Sequence, residues 1–122
     1  MAHDYIKDIV DYLNSNDTKG VSWWEDTYGS DAIPLGIVEE DLLWRIGKGT
    51  KEDTAGVYDI KFTVIADETW QDEDFDEITS LIEQALQEVF GHFYFNRSAY
   101  AIDNQTGWHI HVRDYVVEFD IT

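Results

Sequence analysis

The chain has 122 residues, 26 Asp and Glu against 8 Lys and Arg, a formal net charge of −18 and no cysteine. That length holds one domain spanning 1–122 with a single core, and the missing thiols exclude both a disulfide framework and a thiolate zinc site. The acidity disfavours sequestering DNA or RNA, because gripping phosphates needs a basic footprint. No apolar run reaches the roughly 18 residues of a membrane span, and Met1-Ala2-His3-Asp4-Tyr5 lacks a signal peptide's pattern, so the expected product is soluble and made in the cytoplasm.

From Asp4 to Asn14, Ile6, Ile9, Val10 and Leu13 recur at spacings of three and four, which predicts a short helix with Asp4 as its cap. Asn14 to Gly20 is turn chemistry. Val21-Ser22-Trp23-Trp24 then has the β-propensity of a short strand, with the adjacent tryptophans on opposite faces, one for the core and one for solvent or a partner. Glu25 to Asp31 reads as loop, and Pro34 suits a strand start or an edge. Ile33 to Val38 and Leu42 to Ile46 read as two short strands or one bent one.

Gly47 to Gly56 has three glycines, two lysines and no large apolar residue, which predicts the long tip of a hairpin. Its Gly-Lys-Gly-Thr superficially resembles a phosphate-binding loop, but the G-x-x-x-x-G-K-[ST] spacing is absent and a strand follows. In Val57 to Ala66 apolar residues alternate at 58, 60, 62 and 64, the period of a half-buried strand. An acidic stretch, Asp67 to Asp76, follows; it lacks the calcium-loop spacing and reads as carboxylates complementing a helix N-terminus. Trp70, inside it, is expected to fold back over the helix or meet a neighbour.

Phe75, Ile78, Ile82, Ala85, Leu86 and Val89 then carry a helical stripe over 74–90, stopped by Gly91. Strands over 98–103 and 107–121 flank a turn at Asp103-Asn104-Gln105-Thr106-Gly107. His109 and His111 share a strand face, with no third ligand to make a metal site, so a solvated or interface role is expected. Apolar positions fall on even numbers at 108, 110 and 112 and on odd ones at 115, 117, 119 and 121, which predicts a bulge or bend near Arg113-Asp114.

These elements predict an α+β fold: a small, mostly antiparallel sheet with one main helix packed on it and a short N-terminal helix. Its core is expected to hold Ile60, Phe62, Val64, Ile78, Ile82, Leu86, Val117 and Phe119. No nucleophile with a partnered base, no glycine-rich fingerprint and no metal quartet appears, so no enzymatic activity, cofactor or metal is expected. Three readings fit the charge: a solvated surface kept soluble by repulsion, adaptation to molar salt, or an acidic surface that either lines a passage for nucleic acid or imitates it.

The opening helix Tyr5 to Leu13, the strand Val57 to Asp67, the helix Ile78 to Phe90 and the closing strand Tyr115 to Ile121 together resemble the tail terminator and tail completion proteins of long-tailed bacterial and archaeal viruses, and related small minor-capsid proteins. The resemblance covers about two thirds of the chain and is one of element pattern, a V-x-V-x-V-x-A-x kind of strand leading through an acidic loop into a helix ending in a large apolar residue. It implies a structural virion protein located at the tail and neck: a homo-oligomeric ring, commonly sixfold, that caps the tail tube, contacts the tube protein and the neck or connector protein, and lets DNA pass through its lumen without specific binding. Within such a ring Lys48 and Lys51 of the hairpin tip are expected to reach a neighbour's carboxylates, with Trp23, Trp24 and Trp70 as apolar anchors. The alternative from another class is an acidic decoy that imitates DNA and occupies a host nucleic-acid-binding protein.

Overall fold

A computed structural model describes residues 5–25, 33–46 and 55–120. In chain order these form α1 (Tyr5–Asn16), β1 (Ser22–Glu25), β2 (Leu35–Ile46), β3 (Ala55–Ala66), α2 (Asp72–Phe90), β4 (Tyr94–Ile102) and β5 (His109–Asp120). The strands make one sheet in the order β1-β2-β3-β5-β4, parallel between β1 and β2 and antiparallel elsewhere. The α+β fold with a short N-terminal helix and a main helix is as the periodicities predict. Leu35–Ile46 runs as one strand, and it pairs with β3 up to Ile46 opposite Ala55.

Both helices cover the same face of the sheet. Alternation along β3 places Ile60, Phe62, Val64 and Ala66 on that face, where they pack with Ile6, Ile9 and Leu13 of α1 and Phe75, Ile78, Ile82, Ala85 and Leu86 of α2. Every expected core residue with a described side chain is buried; that of Phe119 lies outside those described. Tyr115 is fully buried at the middle of this layer, its ring edge-on to Phe62 and Phe93. Its hydroxyl donates to Glu83 at 2.8 Å and accepts from Arg113 at 2.8 Å, and burial pushes it up to about 12.

The helix ends follow local chemistry. At the start of α2, Gln71 and Asp74 form a reciprocal capping box, and Asp72, Glu73 and Asp74 occupy the first turn. Asp74 also accepts from Lys19 at 2.8 Å; its hydrogen bond from the Gln71 amide and then that ammonium hold its carboxyl below the usual range. At the other end Gly91 adopts φ 82°, a left-handed conformation that closes the helix with a bond from its amide to the Gln87 carbonyl. The Asp103–Gly107 turn forms as expected, with bonds from the Gly107 amide to the Asp103 carbonyl and from the Asp103 amide to the Trp108 carbonyl.

Two expectations need correction. β5 pairs with β3 without a register break from Ala55 opposite Asp120 to Ala66 opposite His109, so no bulge lies at Arg113-Asp114. The bulge is in β4, between Phe95 and Arg97, across from that point. The change of phase in β5 is a change of which face is apolar: Tyr115 and Val117 point to the helices, whereas Ile110 and Val112 point away from them. Trp23 is also corrected, because at 2% exposure it belongs to the core and has no surface to offer a partner. Its indole lies over Gly36, where an added Cβ would come within 2.2 Å of the ring, so only glycine admits it there.

Candidate assembly surface

The face of the sheet turned away from the helices divides into two zones. Toward one end of the strands, cross-strand neighbours Ile65 and Ile110, then Thr63 and Val112, lie beside Ala99 and Ala101 of β4 and Ile37 of β2, all half-buried or exposed. No described helix or strand packs on them. Toward the other end the same face is charged, with Asp59, Lys61, Asp114 and Arg97. Asp114 is 1% exposed and is bound through Oδ2 by the Arg97 guanidinium, whose side chain is largely in solvent. Asp59 nearby has its carboxyl raised above the usual range, by burial first and the Asp114 charge second, while a hydrogen bond from Asn96 opposes both.

The two edges of the sheet are treated differently. At β1, the Trp23 amide donates to the Asn14 side-chain oxygen at 3.0 Å, and the Asn14 amide donates to the Trp23 carbonyl at 3.1 Å. One side chain from α1 therefore takes both of the backbone groups that Trp23 would offer a further strand. Asp17 supports this arrangement, its carboxylate accepting from the amides of Lys19 and Val21 in the turn that leads to Trp23. At β4, all nine residues are exposed, including Tyr94 at 69% and Phe95, Tyr100 and Ile102 at 52% each. Large apolar side chains thus concentrate on an edge strand that no described side chain caps, an arrangement that invites pairing.

The histidine pair faces the helices instead of open solvent. His111 stacks on Phe75 with centroids 3.6 Å apart and planes 8° from parallel, and Tyr100 lies edge-on to it at 4.6 Å. Burial, then the neighbouring His109, hold its imidazole below the usual range, and its Nε2 has no hydrogen-bond partner among the described residues. The Tyr100 hydroxyl and His109 Nδ1 are hydrogen-bonded at 2.6 Å. Unbroken alternation back from Tyr115 and Val117 puts both histidines on the helix face, where Phe75, at the first turns of α2, meets them through its ring. Among the described residues no group of three or more His, Asp or Glu is placed to hold a metal ion.

Of the expected interface residues, Trp24 is half-buried on the face away from the helices and donates through its indole N–H to Ser22 at 3.1 Å. Trp70 folds back on the start of α2, its ring 5.0 Å from that of Phe75. Lys48 and Lys51 lie outside the described residues. The exposed edge at Tyr94 to Arg97 falls outside the predicted strand 98–103. Its signal, apolar Tyr94 and Phe95, is broken by the bulge, which shifts the helix-facing positions from Phe95 to Ser98, Tyr100 and Ile102. No helix among the described residues is long and apolar enough to cross a membrane. No protein-family model matches the chain, and no curated protein matches it.

Proposed function

We propose that this chain is a structural virion subunit of the tail-terminator or adjacent neck kind, without enzymatic activity, that works as a closed ring of copies on the tail tube. The observation that carries this reading is the half-buried apolar patch on the side of the sheet that neither described helix covers. Among the described residues both helices lie on one side, and on the other Leu35 is buried while Ile37, Ile65, Ile110 and Val112 stay half-buried, which fits a subunit whose remaining apolar surface is covered by assembly. The net charge of −18 fits a lumen that repels DNA from all sides and lets it slide. The element order supports the same reading through its resemblance to such proteins.

The test is the mass of the purified chain in solution together with imaging of purified particles. The expected result is a ring with a central opening, located where the tail meets its neck. A chain absent from particles that stays monomeric and binds a basic host protein tightly would overturn the reading in favour of the decoy.

A further inference from the structure

We infer that β4 is a self-complementary seam at which a second copy of this chain pairs antiparallel, making one ten-stranded sheet across a two-fold axis at Tyr100. The backbone supplies the first reason. Because the Asp103 amide donates to the Trp108 carbonyl, that pair is a hydrogen-bonded one. Alternation along the ladder then makes Ile102 with His109, Tyr100 with His111 and Ser98 with Arg113 the non-bonded pairs, whose β4 amides and carbonyls point away from β5. Three consecutive outward positions, 98, 100 and 102, are symmetric about the middle one. A second copy placed with Tyr100 opposite Tyr100 satisfies all of them, with about six hydrogen bonds.

The side chains agree with the same register. On the face away from the helices it sets Ala99 opposite Ala101, small residues that let the strands approach, and Arg97 opposite Asp103, an opposite-charge pair that occurs twice by symmetry. On the helix face it brings the two Tyr100 rings together and sets Ile102 opposite Ser98, covering residues exposed in the single copy. The bulge after Phe95 and the turn at Asp103 bound the straight portion of the strand, so other registers lose outward bonds or meet the irregular segment.

Charge favours a second copy at this place. Residues 94–102 contain no acidic side chain and one arginine in a chain of net charge −18, so the strand itself brings no like charge to the contact, although Asp72 and Asp76 of α2 stand near Ser98 and Tyr100. At the opposite edge of the sheet, Asn14 already occupies the backbone groups of Trp23. The pairing closes at two copies, and any ring needs a separate contact. The two readings therefore fail separately: a ring lacking this seam leaves the proposed function standing, and a dimer through this seam without rings leaves the seam standing.

The experiment uses the full chain at 0.1 M and 1 M salt, with mass measured by light scattering and backbone amides followed by hydrogen exchange. The expected result is a concentration-dependent assembly built on dimers, in which the amides of Ser98, Tyr100 and Ile102 exchange at least about tenfold more slowly than in the dilute monomer. Since the chain has no cysteine, Tyr100→Cys should crosslink to a covalent dimer on mild oxidation, the facing Cα atoms being about 5.5 Å apart. Ser98→Pro removes an outward donor and Ala101→Asp adds like charge at the seam; each should lower the association constant at least about tenfold with an unchanged circular dichroism spectrum. If Ser98→Pro does not fold, Ala101→Asp, on an exposed side chain, still decides. A monomer at every concentration and both salts, or an assembly in which those three amides exchange freely and the Tyr100→Cys variant forms no crosslink, would overturn the inference.

Discussion

Single side chains here divide between those that hold the core and those whose ionisation opposes burial. Phe62 is 1% exposed and meets Tyr115 edge-on, so Phe62→Ala should cost roughly 3–5 kcal/mol, read as a fall in Tm. Asp59 belongs to the second group. Its folded carboxyl is raised above 3.8, so the charged form is disfavoured by folding and the penalty grows as pH rises through the folded value. Asp59→Asn should therefore melt higher than the parent at pH 7, and the gain should vanish near pH 3. His111 is opposite in sign, its folded imidazole held below 6.5, so the stability of its neutral form is complete above 6.5 and lost as pH falls through that value toward the folded one. Asp72 and Asp76 attract the cation while His109 and Arg113 oppose it, and burial outweighs them all. The parent Tm should drop between pH 7.5 and 5.5 more than that of His111→Gln.

At the scale of elements, the short edge strand depends on a cap from another element. Asn14→Ala removes two hydrogen bonds to the Trp23 backbone and should cost about 1–3 kcal/mol, with faster exchange of the Trp23 amide as the specific sign. Gly36→Ala should be worse, because the new methyl enters the Trp23 ring and β1 must detach or shift. The periodic elements were legible because burial writes directly into residue type: α1, α2 and the alternation of β3 all follow from apolar spacing, and Gly91 and the Asp103–Gly107 turn from local chemistry. What was not legible depends on partners distant in sequence. The β5 phase change gave the correct location for an irregularity but not its strand, since a bulge opposite Asp114 and a change of covered face leave the same trace. The sealing of β1 by Asn14 joins residues nine apart through a polar side chain that reads as turn chemistry, and the inward facing of His109 and His111 follows from a β5 register that runs unbroken past Arg113-Asp114, where the sequence suggests a bulge. The exposed edge at Tyr94 and Phe95 lost its period to the extra residue Asn96.

For the whole molecule, charge and asymmetry decide behaviour. With a net charge of −18, repulsion acts within each copy and between copies, and raising salt from 0.1 M to molar levels should increase both Tm and the degree of assembly as the Debye length falls to about 3 Å. Greatest stability in dilute buffer would instead mean that the carboxylates are held by specific contacts. The unequal edges have a further meaning in the language of polymer chemistry. A sheet with two reactive ends is a bifunctional monomer, and nothing stops its growth into fibres; with Asn14 occupying one end among the described residues, this molecule is monofunctional, and joining through β4 consumes the end that would have propagated. One asparagine thereby acts as a chain terminator, and losing it would convert a finite product into a chain that can lengthen at both ends.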